Sequence, residues 1–404
     1  MNLSSFDYLV IGAGIVGLTI AKELKYKNPK SKILVLEKER KVGLHSSGNN
    51  SGVLHSGIYY PPDSLKAKFC KQGSVEMMRY CSDYNLPINR IGKILLPTKQ
   101  EDISQLDLLE SRAKKNGVEV SRLDKKNLIN LEPEINPSIG QALFVPSTSV
   151  ADSKSVIESI LNNCKNVGIK IFYSAVISSI RINDKSIMLK DGTKINYGYL
   201  VNTAGLHADE VAHSFQVGLR YTLLPFKGVY WKLSKESGIK VNHLIYPVPD
   251  LSVPFLGIHT TTGIDGNIYL GPTAFPAFGR ENYHGLDGIS FSDLKRIVMI
   301  LVKQFFSGQD GFRSLVWQEG GRYFKPCFAN AVRQLLPNVK NKYLLRSNKV
   351  GIRAQMFDTV KNKFVNDFLV ENGKSSTHIL NAISPAWTCA FPFARYIVDN
   401  YVDN

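Results

Sequence analysis

The stretch Tyr8-Leu9-Val10-Ile11-Gly12-Ala13-Gly14-Ile15-Val16-Gly17 sets an apolar run directly before three glycines in G-x-G-x-x-G spacing. A helical pattern follows through 21–24, and a second strand-like run, 32–36, ends at Glu37, 20 residues beyond Gly17. Strand, turn, helix and strand make a βαβ unit of the size a parallel crossover needs. Gly12 permits the tight turn, Gly14 lets the backbone approach a pyrophosphate, and Gly17 lets helix and sheet pack closely. The helix N-terminus then offers N–H groups and a favourable dipole to the phosphates, and Glu37 can accept hydrogen bonds from a ribose. A glycine triplet alone is weak evidence; with its strand, helix and acidic residue in place it predicts a dinucleotide site.

The rest of the chain fits that start. At 404 residues it is long enough for two interlocked domains. Hydrophobic residues at 44% and charged residues at 21% exclude a disordered or fibrous chain. The formal charge of +16 favours anionic surfaces, phospholipid or nucleic acid. Lysine and arginine are spread in short clusters such as 38–41 and 340–342, which reads as a solvated basic face resting on anionic membrane rather than a nucleic-acid site. The five cysteines, at 70, 81, 164, 327 and 389, form no C-x-x-C pair, and no metal site is expected. They read as scattered buried thiols of a reducing compartment. No stretch reaches the length of a membrane-spanning helix, and the first apolar run lacks the basic flank of a signal peptide.

Helices are expected at 64–84, 101–116, 152–168, 292–306, 329–335 and 384–401, and strands at 94–96, 170–173, 176–182, 187–189 and 199–201. The aromatic, β-branched and proline-rich segment 223–268 reads as antiparallel sheet. Two segments favour FAD over NAD. Val201-Asn202-Thr203-Ala204-Gly205, with Asp209 beyond, resembles the second dinucleotide-contacting turn of flavoproteins. Ser384-Pro385 reads as N-cap and N1 of the last helix, whose dipole would stabilise a reduced flavin; ordinary capping explains Ser384 equally well.

Longer blocks carry a resemblance. Gly48-Asn49-Asn50-Ser51-Gly52-Val53-Leu54-His55-Ser56-Gly57-Ile58-Tyr59-Tyr60 and Ser64-Leu65-Lys66-Ala67-Lys68 are similar to the signature of the L-2-hydroxyglutarate dehydrogenases, also called oxidases, among the D-amino-acid-oxidase-like flavoproteins. So are Ile245-Tyr246-Pro247-Val248-Pro249-Asp250, Pro254-Phe255-Leu256-Gly257-Ile258-His259, Gly271-Pro272 through Arg280-Glu281, Gly351-Ile352-Arg353-Ala354-Gln355, and Asn381-Ala382 with Ser384-Pro385-Ala386. The likeness spans essentially the whole chain. It departs at Asn49 (His in the family), Lys227 (Arg), Gly279 (Lys), Ile383 (Pro), and at Trp387 and Cys389, which replace small residues beside the flavin. Those positions bear on the substrate rather than on FAD.

The resemblance implies an α/β fold with α+β elements. A Rossmann-type FAD-binding domain (1–90, 146–222 and 345–404) is interleaved with an antiparallel-sheet substrate domain (91–145 and 223–344). It implies oxidation of a 2-hydroxy acid, L-2-hydroxyglutarate to 2-oxoglutarate, with hydride passing to flavin N5, a base taking the hydroxyl proton, and cations holding carboxylates. Electrons then go to quinone or oxygen, in a cytoplasmic protein peripheral to the inner face of the membrane. His55 is the candidate base, with a structural or flavin-tuning role as the open alternative. Arg353 is the carboxylate clamp. Arg280, His259, Tyr246 and Lys66 are further substrate-binding candidates, a packing or surface role standing beside each. FAD is expected to contact Gly12, Gly14, Gly17, Glu37, Lys38, Asn50, Ser51, Ile177, Ala204, Gly205 and Ser384. His45 and His55 are where a covalent flavin link would form. Other 2-hydroxy acids, N-methyl amino acids or amines, and glycerol 3-phosphate stand as alternative substrates, and a flavin-bearing nucleic-acid-binding protein as an alternative class.

Overall fold

A computed structural model describes residues 2–251, 255–308, 311–382 and 384–402, with the backbone alone at 2–4 and 384. The chain forms two compact units, Met1–Asn50 with Ser153–Leu224 and Arg353–Asn404, and Ser51–Asp152 with Pro225–Ile352.

The first unit is built on parallel sheet. Its central strand, Asn2–Ile11, pairs in parallel with Ile33–Leu36 on one side and Lys194–Asn202 on the other, and Lys170–Phe172 and Ser376–Asn381 extend the two flanks. Leu9 and Val10 are fully buried, as the apolar run requires for a strand covered on both faces. Asp7 directly precedes the apolar run, and its carboxylate accepts the Lys32 N–H at 2.7 Å. Ile177–Arg181 and Ser186–Leu189 form an antiparallel hairpin on the early half of Lys194–Asn202, and Leu369–Gly373 pairs antiparallel with Ser376–Asn381.

The second unit holds a larger antiparallel sheet in the order His259–Thr262, Ile268–Gly271, Tyr221–Leu233 and Leu344–Asp358; residues 221–224 and 353–358 of the last two strands belong to the first unit. A smaller sheet runs Leu244–Pro247, Lys93–Leu96, Gln141–Val145, Ser121–Asp124. Leu244–Pro247 pairs in parallel with Lys93–Leu96, so the 223–268 segment is not wholly antiparallel: its prolines and turns let one strand leave for a second sheet. The short strand Val53–Leu54 pairs with Ser149–Ala151, which also pairs with Ile88–Arg90. That pairing draws 51–90 and 146–152 into the second unit, where the sequence reading had grouped them with the first.

The helical expectations change in places, and the short helix Lys125–Leu131 was not among them. Phe312–Arg322 is a helix the reading passed over, its pattern obscured by Gly320-Gly321 at the end. The last helix is Ala390–Asn400 with Cys389 at its N-cap; Ser384–Ala386 is a separate 3-10 turn, so Ser384 does not cap the helix. Pro392 explains this. A helix begun at Pro385 would place Pro392 in its interior, whereas in Ala390–Asn400 it is the third residue, where no N–H partner is needed. Four cysteines are buried as expected, but Cys327 is exposed.

Candidate active site

In the first unit the glycine turn is packed from both sides. Gly12 has φ +99° and its N–H donates to Leu36 O at 2.7 Å. A Cβ on Gly12 would lie 2.6 Å from the Thr203 carbonyl oxygen, and one on Gly17 2.0 Å from the Gly12 carbonyl oxygen. No side chain fits at either position. Gly14 is different: a Cβ there meets only the Ser47 hydroxyl, at 3.0 Å. That hydroxyl accepts the Ile15 N–H at 3.1 Å, and Gly14 itself offers no side-chain cap. Thr203 Oγ1 donates to the carbonyl of Ile11 at 2.7 Å and contacts that of Gly12 at 3.1 Å, fastening the turn to the neighbouring strand.

Glu37 is buried at the end of the second strand. Its Oε2 accepts the Ala13 N–H at 3.1 Å and its Oε1 the Glu39 N–H at 3.0 Å. Each oxygen keeps a second lone pair for a ribose hydroxyl. Beside it, Lys38 and His45 both bond Glu39 Oε1, and these hydrogen bonds, Lys38 first, hold the Glu39 carboxyl below its ordinary range. Ser174 and Ala175 donate to the carbonyls of Glu39 and Glu37 at 2.9 Å each, which places Ile177 two residues beyond that contact, at the start of its strand. Ala204 N–H donates to Asn202 Oδ1 at 3.1 Å, while a Cβ on Gly205 (φ +57°) meets open space. Asp209 is buried and accepts the Leu223 N–H at 2.9 Å. Asn50 O accepts the Ser153 hydroxyl at 3.4 Å. A turn that tolerates no Cβ at two positions, a helix N-terminus and a positioned carboxylate fit an adenine dinucleotide.

Arg353 lies half-buried in the long strand Leu344–Asp358. Near it Gln355 donates to Val365 O at 2.9 Å, and Asn381 accepts the Met356 N–H at 3.2 Å while donating to Val365 O and Asp367 O. These two amides of the family-like blocks therefore clamp backbone. Trp387 and Cys389 are buried; Pro254 and Ile383 lie outside the described residues.

The second unit gathers the other candidates. Ser51 accepts the Val53 N–H at 3.4 Å, and His55, buried, follows the strand Val53–Leu54 between Gly52 and Gly57, both at positive φ. Val53, Ile58 and Tyr59 pack in one apolar cluster with Leu244, Tyr246 and Val248. Tyr246 stacks on His259 with ring centroids 3.7 Å apart and planes 16° apart. The His259 Nδ1–H donates to Gly257 O at 2.9 Å, so in the neutral ring Nε2 carries the lone pair. Lys66, buried on the helix Leu65–Asp83, holds its ammonium 5.3 Å from the centre of the Tyr60 ring. Burial drives the Tyr59 and Tyr246 hydroxyls well above the ordinary phenol range, so both stay protonated.

Arg280 stands apart from that cluster in its bonding. It is buried, with its Nε 3.5 Å from Asp293 Oδ1, and Asp293 also binds Arg296 at 2.6 Å. Lys227 donates to Asn282 Oδ1 at 3.1 Å, and burial lowers its pKa. A Cβ on Gly279 would lie 2.0 Å from Gly288 O, so the family's lysine has no room on this backbone. Ser47 and a buried lysine, Lys93, escaped the sequence reading, and Thr203 and Tyr59 entered it only inside longer blocks with no role of their own; each meets its partners from a distant segment, and no spacing signals that.

A dinucleotide-binding parallel sheet with a second unit rich in antiparallel sheet defines a flavin-dependent oxidoreductase, and the chain belongs to the FAD dependent oxidoreductase family, whose model matches residues 7–400. Its curated relatives include L-2-hydroxyglutarate dehydrogenases from Indibacter alkaliphilus (35% identical over 391 residues, 95% of each chain) and Escherichia coli K12 (32%, 97% of this chain and 92% of that one). The mitochondrial human L-2-hydroxyglutarate dehydrogenase is 33% identical over 98% of this chain and 89% of its own. Among solved structures, FAD-bound L-alpha-glycerophosphate oxidase from Mycoplasma pneumoniae shares the fold with a TM-score of 0.76 at 19% identity, covering 98% of this chain and 94% of that one. Glycine oxidase from Geobacillus kaustophilus gives 0.71 at 14% identity, with the same coverage. The protein is thus an FAD-dependent enzyme of the L-2-hydroxyglutarate dehydrogenase-like group.

Proposed function

We propose that the protein oxidises L-2-hydroxyglutarate to 2-oxoglutarate and passes the electrons to quinone or oxygen. The observation that carries the reading is the convergence, in one apolar cluster, of the blocks around 53–60 and 244–256, two of those that resemble the L-2-hydroxyglutarate dehydrogenases. FAD, when bound, supplies the two-electron acceptor. His55 takes the proton of the substrate hydroxyl, and Arg353 grips a carboxylate in a bidentate fork. Tyr246, His259, Lys66 and Arg280 contribute to substrate binding. Gly12, Gly14, Gly17, Glu37, Lys38, Asn50, Ser51, Ile177, Ala204, Gly205 and Ser384 hold the cofactor. The apolar walls around Tyr246 exclude water, which strengthens each polar contact.

The reading includes a cytoplasmic location with peripheral contact to anionic membrane. On the helix Phe291–Ser307, the side chains of Phe291, Val298, Val302 and Phe306 are exposed with Lys295 at three- and four-residue spacing, while Ile297 and Gln304 are buried on the other side. A solvent-facing apolar stripe with interspersed lysine suits the headgroup boundary of an anionic bilayer. No helix among the described residues is long and apolar enough to cross a membrane.

Anaerobic bleaching of the flavin absorbance by a panel of 2-hydroxy acids, amino acids and glycerol 3-phosphate tests the substrate. L-2-hydroxyglutarate should bleach it fastest; faster reduction by an amino acid or glycerol 3-phosphate replaces the proposal with that chemistry.

A further inference from the structure

Lys93 opens the strand Lys93–Leu96, opposite Leu244 on one neighbouring strand and Val145 on the other. Its side chain is fully buried, and its Nζ has no hydrogen-bond partner among the described residues. Nζ lies 4.5 Å from the centre of the Tyr59 ring and 5.4 Å from that of Tyr246. Tyr246 is in turn stacked on His259. An amine held without a carboxylate is costly to charge, and a methionine would fill the volume without that cost. Two electron-rich ring faces offset part of it.

The geometry points to Lys93 as a positioning residue for a carboxylate-bearing substrate. Boxed by Tyr59 and Tyr246, its amine sets a positive potential beside the Tyr246 ring of the Tyr246–His259 stack that favours an anion there. This rests on the reading of Tyr246 and His259 as substrate-facing. Burial lowers the amine to about 7, with the nearby Cys70 acting in the opposite direction. Protonated Lys93 therefore gives way to the neutral amine as pH rises through neutrality, and anion affinity falls with it. The titratable groups around it are Tyr59, Cys70 and Tyr246, with Tyr230 and His259 next to Tyr246. Tyr59 and Tyr246 stay protonated in this window, so His259 is the group to separate from Lys93.

The test measures the dissociation constant of the panel acid that bleaches the flavin fastest, in FAD-loaded protein, from about pH 6 to about pH 8.5. Wild-type affinity should fall about tenfold across that range, with the limiting rate of flavin reduction little changed. Lys93→Met should show the weak, high-pH affinity throughout, and Lys93→Arg should keep the strong affinity to the alkaline end. Lys93→Gln replaces the methionine variant if that one does not retain FAD. A flat wild-type profile, or a neutral variant that keeps the wild-type slope, overturns the proposal. The slope should survive in weakened form in His259→Asn. If Tyr246→Leu and His259→Asn both reduce normally, the substrate-facing reading itself fails. If they are impaired while Lys93→Met behaves as wild type, Lys93 alone is excluded.

Discussion

Tyr246 and His259 lie ring on ring, 3.7 Å between centroids, although 13 residues separate them in the chain. Adjacent strands in different sheets bring them together: Ile245 N–H donates to Thr260 Oγ1 at 2.8 Å, tying the strand Leu244–Pro247 to His259–Thr262. The stack fixes the face His259 presents, and Gly257 fixes its tautomer. Tyr246→Leu should keep FAD bound but slow reduction by substrate about 10- to 100-fold, since a mispositioned contact near the reacting centre costs that much. Stopped-flow reduction at saturating substrate reads it; a wild-type rate removes the stack from the mechanism.

Gly17→Ala should abolish FAD retention. Its Cβ would start 2.0 Å from Gly12 O and 2.6 Å from Thr203 Oγ1, so the helix must back away from the turn. Gly205→Ala meets no atom within 4 Å and carries only the strain of φ +57°, roughly 1 kcal/mol. Flavin absorbance relative to protein after gel filtration compares them; a yellow Gly17→Ala variant would contradict the packing argument.

His55→Gln should remain yellow yet lose about 100-fold or more of its reduction rate, the range general-base removal produces. Unchanged reduction would leave His55 a structural or flavin-tuning group. Acid precipitation of the same protein checks for covalent attachment: free flavin in the supernatant is expected.

Arg353→Lys should raise the Michaelis constant about 10- to 100-fold with FAD retained, because a lysine cannot reproduce the bidentate fork. An unchanged Michaelis constant moves the clamp elsewhere, with buried Arg280 the next to test. Arg280→Lys is expected to act as well on stability, through the lost contact to Asp293.

His378 predicts acid sensitivity in the first unit. Burial depresses its imidazole from 6.5 to about 4; Nδ1 accepts from Asn202 at 3.2 Å, so Nε2 donates to Ser376 at 3.0 Å. Above pH 6.5 both folded and unfolded imidazoles are neutral and the site costs nothing. As pH falls from 6.5 toward 4, the unfolded chain takes up the proton first, and stability drops by up to about 3 kcal/mol. His378→Phe should be less stable at neutral pH, where Asn202 loses a partner, but show a shallower decline over that window. Urea midpoints measured through the range report it; an unaltered slope would assign the acid transition to other groups.

The opening βαβ unit was legible because its evidence is local. Strand, glycine turn, helix and Glu37 all lie within the first 37 residues, and the apolar period alone separates strand from helix there. The long blocks likewise pointed to the family without any coordinates. The helix starts were less legible: Ser384-Pro385 has the local chemistry of a cap, and only Pro392 a turn later shows why the helix waits until Ala390. The partition of 51–90 turned on whether Val53–Leu54 finds Ser149–Ala151, a pairing across nearly a hundred residues that no period encodes.

The amino-acid order alone thus determined the cofactor class, the parallel start of the fold and the group of enzymes to which the chain is related. Only the tertiary structure decided that Ser47 caps the dinucleotide helix, that Arg280 leans on Asp293, and that Lys93 is walled in by two tyrosines. The reason is physical. Backbone conformation follows from neighbours along the chain, whereas burial, ionisation and hydrogen-bond partnership depend on residues that meet only after the strands have paired.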